Sequence, residues 1–331
     1  MKEFVEAMKE ELQDAMGKMI PSSISYNGRT YIFGDRVRGG ALGLNCCAYN
    51  KKTKEQFFVR VYPGLNRLAS LTTPIDRLIE PKLDCLNEDF LRELTAYQAL
   101  KPIPQELVLA PTQIFMADAG LSTLMGFTFF PFIPKIKTLA TLIQESANGL
   151  PIEQVKELAL PLLDALDYCH KKGVIHRDIK PTNLVFHEGR LKIHDFGLAY
   201  SPQFYQLCKQ TKRFEFERSS GPAGTPIYLA PEACINGSRY DNARPSLDIY
   251  ALGVTLYEML TRKNPFEDVI KEGTPLDYYA AHASEKPKDI RNYRPDLSAA
   301  ASAFFQHILE KDPEKRLQNP EHVKRVLNAI R

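Results

Sequence analysis

Two stretches near the middle of the chain decide the fold: IHRDIKPTNLVF, residues 175–186, and LKIHDFGLAY, residues 191–200. The first contains Asp178 and Asn183 and the second contains Asp195, each next to a short apolar run. Two apolar runs of this length predict the strands of a β-hairpin. The sequence therefore predicts two carboxylates and one amide held in fixed positions by a rigid hairpin.

These three side chains suit the transfer of a phosphoryl group. Such a transfer needs a base that meets a hydroxyl and oxygen ligands that hold a divalent metal against phosphates. Carboxylate and amide oxygens are the ligands that Mg²⁺ prefers. The alternative is an Asx-rich turn between two strands. Seven specified residues occur in order, however, and chance gives such a match with a probability far below about one in a million.

Composition and charge limit the kinds of partner. The 331 residues are 44% hydrophobic, an ordinary globular composition, and the length predicts about two domains. A net charge of +3 indicates no nucleic-acid or anionic-membrane surface. No run of about 18 uncharged apolar residues predicts a membrane span, and the N-terminal residues lack the apolar core of a signal peptide. Six scattered cysteines without zinc spacing indicate reduced thiols, so we expect a cytoplasmic protein. The oligomeric state is left open.

The first part of the chain predicts a small sheet lobe after a helical extension. Apolar residues three to four positions apart predict a helix over residues 1–20, within an N-terminal extension of residues 1–24. Asn27-Gly28 predicts a tight hairpin, and strand-like runs follow to about residue 62. With one helix in EDFLRELTAYQAL, these elements give a lobe over residues 25–132.

The rest of the chain predicts a larger, mainly helical lobe over residues 133–331. Its segment 247–260 is apolar almost all round, which predicts a helix buried on every side. Pro131 and Pro134, in FTFFPFIPKI, predict an irregular stretch where the two lobes join. The fold class is therefore α+β, and we expect a cleft between the lobes.

The central motifs resemble those of the eukaryotic-type protein kinases. The resemblance implies the bilobal protein-kinase fold, ATP and Mg²⁺ as cofactors, and Ser or Thr hydroxyls of a protein substrate as acceptors. It implies that Asp178 is the catalytic base and that Lys180 contacts the transferred phosphoryl group. By the same resemblance, Asn183 and Asp195 would bind Mg²⁺, and Val185 would contact the nucleotide.

Further residues match structural positions of that family. Lys180 and Thr225, in KPTN and GTPIYLAPE, resemble the serine/threonine branch rather than the tyrosine branch. Glu232 would form a buried ion pair with Arg316, whose loss would be costly. Asp248 would hold the main chain of the catalytic loop.

The segment between Asp195 and Glu232 is long enough to move and to be regulated. By the family resemblance, a phosphate on Ser219 or Ser220 would pair with Arg177 and order this segment. The alternative is an ordinary solvated loop, which is also rich in Ser and Lys.

The first lobe departs from the kinase pattern. The Gly-rich loop corresponds to residues 38–43, RGGALG, in which Arg38 replaces the first glycine. Gly40 and Gly43 would be its second and third glycines. In QFFVRVY, Arg60 stands where the family has its phosphate-binding lysine, and Phe58 stands where it has a small alanine beside the adenine.

Arg60 leaves two arrangements open. A guanidinium is planar and prefers bidentate pairing with a carboxylate, so Arg60 would pair with Glu93, which matches the helix glutamate of the family. Alternatively, the nucleotide phosphates would be held by Arg60, or by Arg36 or Arg38 from the loop.

Three functions follow from these observations. The first is an active kinase with a modified nucleotide pocket, favoured by the intact set of Asp178, Lys180, Asn183 and Asp195. The second is a pseudokinase that binds a partner through its activation segment or its N-terminal helix. The third is a small-molecule phosphotransferase, against which GTPIYLAPE and Arg316 argue.

Overall fold

The computed structural model describes residues 20–37, 44–62, 88–118, 124–210, 224–235, 243–270 and 273–330. They form two compact units. The first unit contains the described residues up to Leu94 and those of Ala110–Lys135, and the second contains Thr95–Leu109 and the described residues from Ile136 onward. Several predictions lie outside the described residues: the N-terminal helix, Arg38, Gly40, Gly43, Ser219 and Ser220.

An antiparallel sheet forms the described part of the first unit. Its strands are β1 (Ser23–Tyr26), β2 (Arg29–Val37), β3 (Leu44–Asn50), β4 (Gln56–Tyr62), β5 (Gln113–Asp118) and β6 (Leu124–Pro131). They lie in the order β1-β2-β3-β4-β6-β5. Asn27 and Gly28, with φ of 48° and 71°, form the tight turn between β1 and β2. Positive φ at both positions is typical of a type I′ turn, so the hairpin prediction is confirmed.

Strand β6 corrects one expectation. The stretch FTFFPFIPKI was expected to be irregular because of its prolines, but β6 pairs with β4 on one side and β5 on the other. Pro131 is the last residue of β6, where a missing N–H interrupts the ladder least. The apolar character of the run therefore outweighs the proline at its end.

Aromatic side chains build the core of the first unit. Phe127 and Phe129 of β6 are fully buried and contact Phe115 of β5 at ring-centroid distances of 5.5 and 5.3 Å. Helix α1 (Glu88–Ala99) begins with two acidic residues, which its N-terminal dipole stabilises. The boundary between the two units falls within α1, after Leu94.

The second unit is mainly helical. Its helices are α2 (Leu139–Glu145), α3 (Ile152–Lys171), α4 (Pro202–Gln210), α5 (Pro231–Ile235), α6 (Pro245–Thr261), α7 (Pro275–Ser284), α8 (Ala299–Ile308) and α9 (Pro320–Asn328). A small antiparallel sheet contains β7 (Lys137–Thr138), β8 (Leu184–His187) and β9 (Arg190–Ile193). The predicted hairpin is therefore present as β8 and β9, and the α+β class is confirmed.

Helix α6 is the central helix of this unit. Fourteen of its residues are buried, in agreement with the apolar pattern that predicted a helix enclosed on every side. It ends at Arg262, whose left-handed φ of 58° stops the helix, and the Arg262 N–H donates to the Glu258 carbonyl. None of the helices in the described ranges is long and apolar enough to cross a membrane.

Candidate active site

Loop 174–180 follows helix α3 and carries His176, Arg177 and Asp178. Arg177 has a φ of +68°, a left-handed conformation that costs about 1 kcal/mol or more for a residue with a side chain. Asp248, in the first turn of α6, holds the loop in this shape. Its carboxylate accepts the N–H of His176 at 2.9 Å and the N–H of Arg177 at 2.7 Å. The main chain leading to Asp178 is thus fixed by one buried side chain.

Asp248 is fully buried and also contacts His170 of α3, whose Nε2 lies 2.8 Å from its Oδ2. Burial opposes ionisation of this carboxyl. The hydrogen bond and attraction of His170, helped by His176 and the N–H of Arg177, outweigh that effect and hold the pKa of Asp248 below its ordinary value. Asp248 is therefore ionised at neutral pH and serves as a fixed acceptor.

The carboxylate of Asp178 is held by four donors. Its Oδ1 accepts the N–H and the hydroxyl of Thr225, at 3.1 and 2.7 Å. Its Oδ2 lies 2.9 Å from Asn183 Nδ2 and 2.7 Å from Lys180 Nζ. Lys180 Nζ also donates to the Thr225 hydroxyl at 2.6 Å. The structure thus brings Asp178, Lys180, Asn183 and Thr225 into one hydrogen-bonded cluster.

Asn183 offers one atom that suits a cation. Its Nδ2 donates both to the carbonyl and to the carboxylate of Asp178, each at 2.9 Å. Because the amide hydrogens are used on Asp178, the side-chain oxygen is the atom left to ligate a metal. An amide oxygen is a ligand that Mg²⁺ accepts, so the residue fits the metal that the resemblance implies.

Val185 lies within the β8–β9 hairpin, and Asp195 follows it. Asp195 follows β9 with a φ of +69°, a second strained position in the site. The next residue, Phe196, is buried and its ring contacts those of His176 and Tyr97 at 4.7 and 5.1 Å. Val185 is fully buried in β8, where it pairs with Lys192. The strained conformation of Asp195 is therefore supported by the packing of its neighbour.

The pair of Glu232 and Arg316 is present in the second unit. Arg316 donates to both carboxylate oxygens of Glu232, at 2.7 and 2.9 Å, and to the carbonyl of Ser246 at 2.8 Å. Its guanidinium also lies over the ring of Tyr250, 4.9 Å from the centroid. Both charges are thus paired within the protein, as a buried ion pair requires.

The first unit contains a separate buried polar cluster. Arg60 of β4 donates to Glu93 of α1 at 3.1 Å, which is one of the two arrangements that the sequence left open. The other oxygen of Glu93 accepts the hydroxyls of Tyr62 and Thr128, at 2.7 and 2.9 Å. All four residues are buried. Phe58, on the same strand, is only half-buried. At least one nitrogen of the Arg60 guanidinium is therefore bound to the Glu93 carboxylate.

Sequence reasoning missed Tyr62, Thr128 and His170. A signal existed for Tyr62, because it is two residues after Arg60 and so lies on the same face of β4. Thr128 is directly opposite Arg60 in the sheet, but this requires the pairing of β4 with β6, two strands far apart in sequence. Nothing in the sequence singled out His170.

The described residues contain no site in which protein side chains alone would hold a metal ion. No group of three or more His, Cys, Asp or Glu side chains converges there.

Comparison with known proteins places these motifs in context. The sequence profile of the protein kinase domain matches residues 80–327. Serine/threonine-protein kinase TOS3 of Saccharomyces cerevisiae is 32% identical over 181 residues, which cover 51% of this chain and 31% of that protein. Rhodopsin kinase GRK1 of Homo sapiens is 34% identical over 176 residues, 53% of this chain and 28% of that protein.

A bacterial protein is also similar in sequence to this chain. A probable serine/threonine-protein kinase of Clostridium perfringens is 28% identical over 214 residues, which cover 64% of this chain and 28% of that protein. The chain thus spans about a third or less of the length of these curated relatives.

Proposed function

This chain belongs to the protein kinase domain family, and on that premise we propose that it transfers the γ-phosphoryl group of ATP to Ser or Thr hydroxyls of protein substrates. The observation that carries the proposal is the cluster of Asp178, Lys180, Asn183 and Thr225. Its contacts join a carboxylate, an ammonium and an amide in one hydrogen-bonded group. Phosphoryl transfer depends mostly on positioning and electrostatic stabilisation, and this group offers both.

Asp178 orients and deprotonates the substrate hydroxyl in this proposal. Its Oδ1 accepts the Thr225 hydroxyl in this structure, and the substrate hydroxyl would take the place of that donor. Lys180 contacts the same carboxylate and would stabilise the negative charge on the phosphoryl group. A positioned base contributes about 100-fold to 10,000-fold to such a rate.

Asn183 and Asp195 would hold the metal. Mg²⁺, when bound, neutralises the charge of the nucleotide phosphates and keeps them in line with the acceptor. The side-chain oxygen of Asn183 supports this role because its amide nitrogen is bound to Asp178. The packing of Phe196 keeps Asp195 in its strained conformation.

Preference for Ser and Thr acceptors is supported by Thr225. Its hydroxyl lies between Lys180 and Asp178, at 2.6 and 2.7 Å, and so joins the segment that begins at Thr225 to the proposed base. We further propose a cytoplasmic location, because the described cysteines are all free thiols. We also propose that a phosphate on Ser219 or Ser220 would pair with Arg177.

One observation favours a second candidate function. Arg60 stands in the place of the phosphate-binding lysine, is buried and donates to Glu93. The Glu93 carboxylate also accepts the hydroxyls of Tyr62 and Thr128. If the guanidinium serves only this buried cluster, the protein would hold nucleotide weakly. It would then act as a pseudokinase that binds a partner protein.

The test is the intact mass of the protein, and of a generic protein substrate, after incubation with Mg²⁺ and ATP. We expect steps of about 80 Da for each phosphate added, and no steps when EDTA removes the metal. Asp178→Asn and Asp195→Asn should each lower the transfer rate about 1,000-fold or more. The matched control is Glu188→Gln, because Glu188 is an exposed acid in the turn between β8 and β9. This variant should transfer phosphate at the wild-type rate.

The thermal midpoint of each variant shows whether it is folded. Undiminished transfer in folded Asp178→Asn would refute the proposed base. Absence of transfer in the wild type, together with no thermal shift on adding Mg²⁺ and ATP, would favour the pseudokinase.

A further inference from the structure

A polar cavity lies at one end of the sheet in the first unit. It is formed by the β1–β2 turn and the β3–β4 turn, and its volume is about 600 Å³. Apart from Gly28, its lining residues all have polar or charged side chains: Asn27, Arg29, Thr30, Asn50, Lys51, Lys52, Thr53 and Glu55. It lies outside residues 80–327, the part that matches the kinase profile, and none of its residues belongs to the clusters described above.

The wall formed by the β3–β4 turn is well ordered by hydrogen bonds. Asn50 is buried, and its side-chain oxygen accepts the N–H groups of Lys52 and Thr53 at 2.9 and 3.1 Å. The N–H of Lys51 donates to the Thr30 carbonyl at 2.8 Å, which ties this turn to β2. Because the main chain is fixed in this way, the cavity is largely formed before any ligand arrives.

The charges around the cavity are unbalanced. Arg29, Lys51 and Lys52 contribute three positive charges, and Glu55 contributes one negative charge. No ion pair joins any of these four side chains to another residue of the described ranges. Exposed lysines elsewhere do pair, as Lys137 does with Glu145 and Lys171 with Asp167. The net charge of +2 therefore complements the charge of about −2 on a phosphorylated side chain.

We propose that this cavity binds the phosphate of a phosphorylated serine or threonine in a partner protein. Arg29 offers the planar, bidentate donor that phosphate prefers, and Lys51 and Lys52 add two point charges. The hydroxyls of Thr30 and Thr53 supply further donors. The volume lies in the range of ordinary ligand sites, so phosphate and the adjoining peptide fit together.

The lining argues against other phosphate ligands. A nucleotide site needs an apolar or aromatic surface for the base, and a lipid site needs apolar side chains beside the charges. No apolar side chain lines this cavity. Binding at this site does not depend on phosphoryl transfer, because it uses none of the residues around Asp178.

The test is fluorescence anisotropy of the full chain with a labelled Gly/Ser peptide that carries one phosphoserine. We expect binding of this peptide and none of the unphosphorylated peptide. Lys51→Glu, Lys52→Glu and Arg29→Glu should each weaken binding about tenfold, since each replaces a charge-assisted contact by repulsion. Glu55→Gln should strengthen binding, because it removes the one opposing charge.

Matched controls separate this site from general charge effects. Lys286→Glu makes the same charge change at an exposed position in the second unit and should bind like the wild type. Asp178→Asn should also bind normally, even if phosphoryl transfer is lost. Equal binding of both peptides, equal losses in Lys286→Glu, or capture by phosphoinositide vesicles without peptide binding would each overturn the proposal.

Discussion

Among single residues, Gly126 in β6 is closely constrained by its surroundings. A Cβ atom built on it would lie 2.4 Å from the ring of Phe90 in α1. Phe90 is fully buried, so its ring cannot move toward solvent. The absence of a side chain at Gly126 is therefore what allows the helix to lie this close to the sheet.

We predict that Gly126→Ala destabilises the protein by about 1–3 kcal/mol, the usual cost of overpacking a core. The comparison is Gly34→Ala, also in a strand, where the nearest atom is the Cys47 carbonyl oxygen at an ordinary 3.7 Å. That variant should stay within about 0.5 kcal/mol of the wild type. Denaturant unfolding measures both, and equal losses would contradict the packing argument.

Individual site residues could be predicted only where a motif is local in sequence. Asp178 and Asn183 are five residues apart, and the structure joins them directly. Thr128 could not be found in this way, because its contact with Glu93 depends on which strands are neighbours. Register between distant strands is set by the whole sheet rather than by a short run of residues.

At the scale of elements, the short 3₁₀ turn Pro226–Tyr228 is held by two helices. Its Ile227 carbonyl accepts Nε2–H of His282 in α7 at 3.0 Å, and Nδ1 of the same ring lies 2.7 Å from the Tyr250 hydroxyl of α6. Tyr228 donates to Glu258 of α6 at 2.7 Å. The segment next to Thr225 is therefore positioned by buried polar contacts.

The burial of His282 gives the stability a pH dependence. Burial, assisted by the positive charge of Lys311, lowers the pKa of His282 to about 3. The unfolded chain binds a proton at this residue near its ordinary pKa of 6.5, whereas the folded chain does not. Stability should therefore fall as the pH drops below about 6.5, by about 2 kcal/mol between pH 7 and pH 5.

We predict that His282→Gln loses this part of the pH dependence, because glutamine does not titrate. The measurement is denaturant unfolding at pH 5, 6 and 7, in which the variant should show a flatter profile than the wild type. His307→Gln, at an exposed position of α8, is the control and should keep the wild-type slope. A wild-type slope in His282→Gln would show that other groups cause the effect.

Long elements were predictable from periodicity, and β5 was not. Helix α3 repeats apolar residues with a helical period over many residues, and the apolar run of α6 is too long for a strand, so tertiary context overrides neither. Strand β5, QIFMAD, is too short to carry a clear pattern. Strand β6 was obscured by a proline that the end of a strand tolerates.

At the scale of the whole chain, ion pairs join segments that are distant in sequence. Arg316 is buried and the side chain of its partner Glu232 is only 11% exposed, whereas Arg244 and Glu314 form a similar pair at 2.6 Å on the surface. A buried charge that loses its partner is costly, and an exposed one is rehydrated by water. Comparing the two pairs therefore measures how much burial increases the contribution of an ion pair to the stability of the protein.

We predict that Glu232→Gln destabilises the protein by about 3 kcal/mol or more, since Arg316 keeps its charge without a carboxylate. Glu314→Gln should cost less than about 1 kcal/mol. Thermal and denaturant unfolding of both variants give the comparison. Similar small losses in the two would mean that the remaining carbonyl contacts of Arg316 are sufficient to hold it.

The strand order of the first sheet has a consequence for the time course of folding. Strands β1 to β4 are joined in sequence order, so each pairing closes only a short loop. The β4–β6 pairing joins Tyr62 to Gly126 and must first close the long stretch between them. Closing a long loop costs more chain entropy and slows the step. In pulsed hydrogen exchange during refolding, amides of β2 and β3 should therefore gain protection before the β6 amides that bond to β4, whereas those that bond to β5 close only a short loop.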